Sequence, residues 1–243
     1  MTIGTTGVIE PAAYWRLAVI FDAPGGDRDR LARNLVNADA AIRAAARGAA
    51  VRFGIGEHWQ NDVAAEGHDF SGWRTNDGAV EVTVGAAQAD ELPAIAAAVR
   101  PALAPIIDLA SAEIMAGPVY AMVPARLGEC VLSLSFRRDP DTTKQEFSRW
   151  WYYQHSAVAI PVLGRLLLGY DQVHCDDAMI EAVSSAFGVP AAYYDAYDNL
   201  TWASYQAFVE STSDPEGGRR IGEDEIGRID NSSRRHAIMR VLG

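Results

Sequence analysis

Apolar and polar positions alternate along this chain in short runs that stop at turns, and the same succession of runs occurs twice. Residues 15–21 and 130–136 both read as strands ending in phenylalanine, Phe21 and Phe136, ahead of a polar turn; they lie 115 residues apart. A helical stretch follows each, then a short apolar run ending in histidine, 54–58 and 170–174, at an offset of 116. The third strands, 79–84 and 197–202, are offset by 118. A second helix comes next in each half, 90–107 and 204–209, and a closing strand around 120–123 and 236–241. So regular an offset across so many elements indicates a duplicated unit, with halves 1–126 and 127–243 joined by a short linker near 124–128.

Each half has the order β-α-β-β-α-β, which gives an antiparallel sheet with both helices on one face, an α+β unit of the ferredoxin-like kind. The other sheet face is apolar and needs a cover. Two such repeats packed sheet to sheet bury it and enclose a barrel-like interior, so one chain builds what a homodimer of single repeats would share. Local signals mark the helix ends. Asp141, Thr142 and Thr143 precede Gln145 and Glu146, a capping box with two registers open. Asp27 caps the first helix, and Pro161 with Gly164 ends or bends the helix that begins the second half. Residues 214–218 read as a surface loop, which leaves helical structure beyond Val209 undecided.

The richest chemistry lies in residues 143–155. Five aromatic side chains, Phe147, Trp150, Trp151, Tyr152 and Tyr153, crowd a helical run that ends in His155. On an α-helix Phe147, Trp151 and His155 share one face, a wall for a flat ligand with an imidazole at its end. Histidine is the side chain whose ordinary pKa lies nearest neutrality, which suits it to general acid–base work. Tyr170, Gln172 and His174 alternate on one strand face, and His58 ends the equivalent strand of the first half, so these four are expected to line the interior. Asp195 and Asp198 flank the next strand and could orient a histidine or hold a substrate hydroxyl. Arg137, Arg138 and Arg165 are candidates for clamping a carboxylate, and an insertion at 60–78, with Trp59 beside it and His68 and Trp73 inside, could cap the cavity.

Composition narrows the classes. A formal net charge of -11 argues against binding nucleic acid, whose phosphates call for clustered Lys and Arg. Cys130 and Cys175 lack ligand spacing and read as buried free thiols, so no metal is expected. No signal peptide is visible, and no apolar run reaches the ~18 residues that cross a bilayer, which together indicate a cytoplasmic protein without a membrane partner. Walker A, GxGxxG, GxSxG and HExxH motifs are all absent.

Phe136 to Pro140, then Thr143, Phe147, Trp151 and His155, resemble the EthD family of dimeric α/β-barrel proteins. Residues 169–174, 194–200, and Ser204, Tyr205 and Phe208 are similar to its later elements, so the resemblance spans essentially all of the second half. Where the family often has His-Ala-Pro, this chain has His155-Ser156-Ala157. The helix of the first half, 28–47, is rich in alanine and has no aromatic cluster or matching histidine, so that half reads as a degenerate copy acting as scaffold or lid. The duplication and this resemblance together point to two tandem repeats forming an intramolecular dimeric α/β barrel, and the aromatic helix and the strand after it supply His155, His174 and Tyr170 as catalytic candidates. Phe147, Trp150, Trp151, Gln172, His58 and Asp195 would contact a small aromatic substrate. The resemblance implies chemistry without a cofactor; haem stays open, because related barrels bind it through a histidine and His155 is the candidate. The expected activity is a lyase or isomerase reaction on a phenolic intermediate. A cofactor-independent monooxygenase of hydroxyaromatic or quinone-like compounds is the alternative, and a non-catalytic binding or stress-response protein the third reading. Whether two chains pair into a homodimer is left open.

Overall fold

The computed structural model describes residues 8–57, 74–124, 126 and 128–242. The first half contributes strands β1 (Tyr14–Asp22), β2 (Ala50–Gly56), β3 (Arg74–Thr75), β4 (Gly78–Gly85) and β5 (Asp108–Val123). The second contributes β6 (Cys130–Arg138), β7 (Gly169–His174), β8 (Ala196–Trp202) and β9 (Ile229–Leu242). Their order is β2-β4-β1-β5-β7-β8-β6-β9, and β9 pairs back onto β2, so eight antiparallel strands close into a barrel; β3 adds two residues outside β9. Within each half the order is second, third, first, fourth strand, the ferredoxin-like arrangement. The halves join through two seams, β5–β7 and β2–β9. Closure leaves no open edge among these eight strands, and a single chain completes the barrel.

The β5–β7 seam depends on one glycine. A Cβ at Gly117 would lie 2.1 Å from the carbonyl oxygen of His174, so only a residue without a side chain lets the strands approach. Alternation then sorts the side chains. Inside the barrel Arg16 reaches Asp171 at 2.7 Å, and Glu81 accepts from Tyr197 Oη at 2.5 Å and Asn199 Nδ2 at 2.7 Å. Each of these bonds links one half to the other. The neighbours of Asp171, namely Tyr170 and Gln172, consequently face outward, towards the helices.

Helices α1 (Arg28–Ala45) and α2 (Leu92–Leu103) cover the first half. In the second half α3 (Lys144–Arg149) runs into a π turn, Trp150–His155, and continues as α4 (Ser156–Leu163). Of the two capping registers, the chain uses Thr143: its hydroxyl takes the Glu146 N–H and Glu146 returns a bond to the Thr143 N–H. Three later helices were not expected in this form. Between β7 and β8 lies α5 (Asp177–Phe187), capped by Asp176 and closed by Gly188 at φ 81°, and it packs on α2 and β5. The stretch 204–225 holds α6 (Tyr205–Thr212) and α7 (Pro215–Glu225). The segment read as a surface loop is therefore the start of a helix, with Asp214 as N-cap and Pro215 at the first helical position. Cys130 and Cys175 are buried free thiols. Among the described residues no helix is long and apolar enough to cross a membrane.

Candidate active site

A cavity of about 720 Å³ opens in the second half, between the outward face of β6–β8 and the helices α4, α6 and α7. Contrary to expectation, the cavity does not lie in the barrel interior, where Arg16 bonds to Asp171, and Tyr197 and Asn199 bond to Glu81. Leu132, Leu134, Leu163, Leu200, Trp202 and Ile221 supply apolar wall. His155, Tyr170, Asp198, Glu225, Asn231 and Arg234 supply the polar part. A largely apolar hollow with a few converging polar groups is the usual form of a small-molecule site.

His155 reaches this wall because of the π turn. An i→i+5 turn inserts about one residue per helical cycle, so His155 comes to lie against Trp150, ring centres 5.1 Å apart, rather than under Trp151. The expected common face of Phe147, Trp151 and His155 is thereby broken. Phe147, Trp150 and Trp151 are buried together with Phe136 in a separate aromatic cluster and do not line the cavity. His155 Nδ1 lies 3.0 Å from Asp224 Oδ2, and the other Asp224 oxygen is 3.4 Å from Trp150 Nε1. A carboxylate on Nδ1 fixes that nitrogen as the donor and leaves Nε2 as the basic one in the neutral ring.

The other sequence candidates are placed as follows. Tyr170 lines the cavity. Its hydroxyl accepts from Gln172 Nε2 at 2.9 Å, and the same amide donates to the Trp151 carbonyl at 3.0 Å. His174 lies behind them, stacked on Trp151 at 4.8 Å and 3.3 Å from Gln172 Oε1. Burial pushes its pKa down to about 3, so it is neutral and outside the cavity wall. Asp195 is turned to Arg138, whose backbone N–H it accepts at 3.0 Å, and does not line the cavity. Arg137 meets the Tyr193 carbonyl. His58, Trp59, His68 and Trp73 lie outside the described residues.

Two acidic residues belong to this site: Asp198, which the sequence offers as a partner for a histidine or a substrate hydroxyl, and Asp224, which sequence reading missed. Asp224 sits at the end of α7, and Asp198 on β8 lines the cavity at 3% exposure. Burial first, and then Glu225, push the Asp198 carboxyl well above the usual carboxylate range, against Arg234 and the Leu134 N–H. A legible signal for α7 did exist: Asp214-Pro215-Glu216 is a helix start. Three glycines in the helix masked it.

Haem can be tested against these residues. A proximal histidine bonded to a carboxylate through its second nitrogen is what His155 and Asp224 present. A porphyrin also brings two carboxylates of its own. The lining offers them Asp214 and Glu225, and its guanidinium, Arg234, is already bonded to Glu225 and Asn231. The charge balance does not fit haem. Among the described residues no three His, Cys, Asp or Glu side chains converge as metal ligands.

Residues 139–232, which hold His155, Tyr170, Asp198 and Asp224, match the EthD domain. The second half carries an EthD domain. No curated protein matches the chain. Solved structures share the whole fold at low identity. An anthrone oxidase-like protein is 10% identical with a TM-score of 0.54, over 96% of this chain and 93% of its own. A "putative monooxygenase" from Lactobacillus acidophilus NCFM is 12% identical with a TM-score of 0.52, over 94% of each chain. A chlorite dismutase variant from Candidatus Nitrospira defluvii is 10% identical with a TM-score of 0.55, over 97% of this chain and 93% of its own. At such identities the likeness shows the fold alone. The His155–Asp224 pair and most of the cavity lining lie within the matched residues, while Leu132, Leu134 and Arg234 flank them.

Proposed function

We propose that the chain is a cofactor-independent monooxygenase of hydroxyaromatic or quinone-like compounds, acting in the EthD cavity. The observation that carries this reading is His155, in the wall of a largely apolar hollow and held 3.0 Å from Asp224 behind it. The monooxygenase and anthrone oxidase-like names among the structural neighbours favour oxygen chemistry over the lyase or isomerase reaction first expected. We also read residues 1–126 and 127–243 as copies of one unit, of which the second holds the site.

Asp224 holds the Nδ1–H, so Nε2 takes a proton from the substrate, and the imidazolium formed is stabilised by the carboxylate. The resulting electron-rich anion passes one electron to dioxygen, and the two radicals combine into a carbon–peroxide bond. His155 returns its proton to the distal oxygen. Loss of the second hydrogen from the same carbon with cleavage of the O–O bond leaves a carbonyl and one water. One CH2 group and one O2 thus give one C=O and one H2O. Apolar walls exclude water from the charged intermediates.

An oxygen electrode and product mass spectra with a panel of phenols, anthrones and hydroquinones test the reading. Oxygen uptake matched by a product carrying one new carbonyl supports it. Product formed without oxygen uptake returns the site to proton-transfer chemistry, and ligand-induced thermal stabilisation with no product makes it a binding protein.

A further inference from the structure

One polar group in the cavity is left unanswered by the protein. Asp198 Oδ1 is buried and has no hydrogen-bond partner among the described residues, and Asp198 lines the cavity together with Leu134 and Leu200. A buried polar atom without a partner is costly and calls for explanation. The chain could have avoided the cost with an apolar residue at this position, as it does two residues on at Leu200. The titratable and charged groups facing Asp198 are Tyr170 on β7, Glu225 at the end of α7, Arg234 on β9, His155 on the π turn and Asp214 ahead of α7. Arg234 is turned to Glu225 and Asn231.

We propose that the Asp198 carboxyl group donates a hydrogen bond to a ketone or phenol oxygen of the ligand, so that the EthD cavity selects uncharged aryl ketones and phenols over aromatic carboxylates. Burial and Glu225 favour the protonated carboxyl, and a protonated carboxylic acid in an apolar site is a hydrogen-bond donor. Its bond strengthens as His155 removes a proton and charge collects on the substrate oxygen. An anionic ligand meets Glu225 and Asp214 and finds Arg234 already engaged. This rests on the reading of the cavity as a hydroxyaromatic site, and gives that site its selectivity.

The test is calorimetric binding of three flat probes, fluorenone, fluorene and a fluorenone carboxylate, to the wild type, Asp198→Asn and Asp198→Leu. Fluorenone is expected to bind the wild type on the order of tenfold tighter than fluorene, with the carboxylate weakest. Asp198→Asn keeps the ketone preference, because an amide also donates; Asp198→Leu loses it while fluorene affinity stays. The wild-type preference falls as rising pH ionises the carboxyl, and that of Asp198→Asn does not. A Leu variant that retains the ketone preference overturns the proposal. Should that variant fail to fold, the Asn comparison decides: an identical pH dependence in wild type and Asp198→Asn overturns it. Equal affinity of the wild type for all three probes removes the role of Asp198 alone, whereas no binding of any probe overturns the cavity reading and this proposal with it.

Discussion

Replacing Glu81 by glutamine removes one charge from the middle of the barrel and is expected to loosen both halves at once. Glu81 is 3% exposed. Burial alone would raise its pKa, but Arg52, Arg16, Tyr197 and Asn199 together outweigh burial and hold it at about 2, down from an ordinary 4.5. That displacement corresponds to about 3 kcal/mol of stability, in the range of about 3–5 kcal/mol for breaking a buried ion pair. Because the folded value is the lower one, the contribution is complete above pH 4.5 and disappears as pH falls towards 2. Urea unfolding of wild type and Glu81→Gln should therefore differ by about 3 kcal/mol at neutral pH, with the difference shrinking through the acid range. Since Glu81 bonds to Tyr197 and Asn199 of the other half, tryptophan fluorescence and far-UV circular dichroism should move together. A difference below about 1 kcal/mol at neutral pH, or one that persists unchanged at pH 2, would rule out this role for the Glu81 charge.

Gly117→Ala forces a methyl group against the His174 carbonyl and should cost up to about 3 kcal/mol, read as a lowered melting temperature. Asp224→Asn keeps the shape but presents the wrong tautomer to the substrate, so kcat should fall by about 10²–10⁴ with KM little changed; steady-state kinetics check this. Asp198→Asn should be more stable than the wild type at neutral pH, because the native carboxyl keeps a proton that the unfolded chain gives up. That advantage vanishes in thermal melts below the unfolded value, about pH 3.9.

The architecture was legible because each strand carries its alternation in its own residues. The runs 15–21 and 130–136 became β1 and β6, and the repeated order became the repeated strand pattern. What stayed hidden depended on tertiary contacts. A π turn has no composition of its own, so α-helical spacing put His155 beneath Trp151 when it belongs against Trp150. Asp224 lies on a glycine-bearing helix whose propensity is poor and whose stability comes from its Asp214 cap and its packing on α4. The face of β7 that carries Tyr170, Gln172 and His174 was correctly grouped by alternation, but which side of the sheet it would meet was set by Asp171 pairing with Arg16 across the barrel, 155 residues away. Which of those three would touch the cavity was equally a matter of packing: Trp151 covers His174, and Tyr170 is the one that lines the hollow.

The most direct measurement is turnover and binding by His155→Ala, on whichever phenol or anthrone the wild type consumes. Retained ligand affinity, with product formation reduced to the rate without enzyme, is the expected result. Product at the wild-type rate, with the variant folded, would contradict a mechanism built on His155 and Asp224.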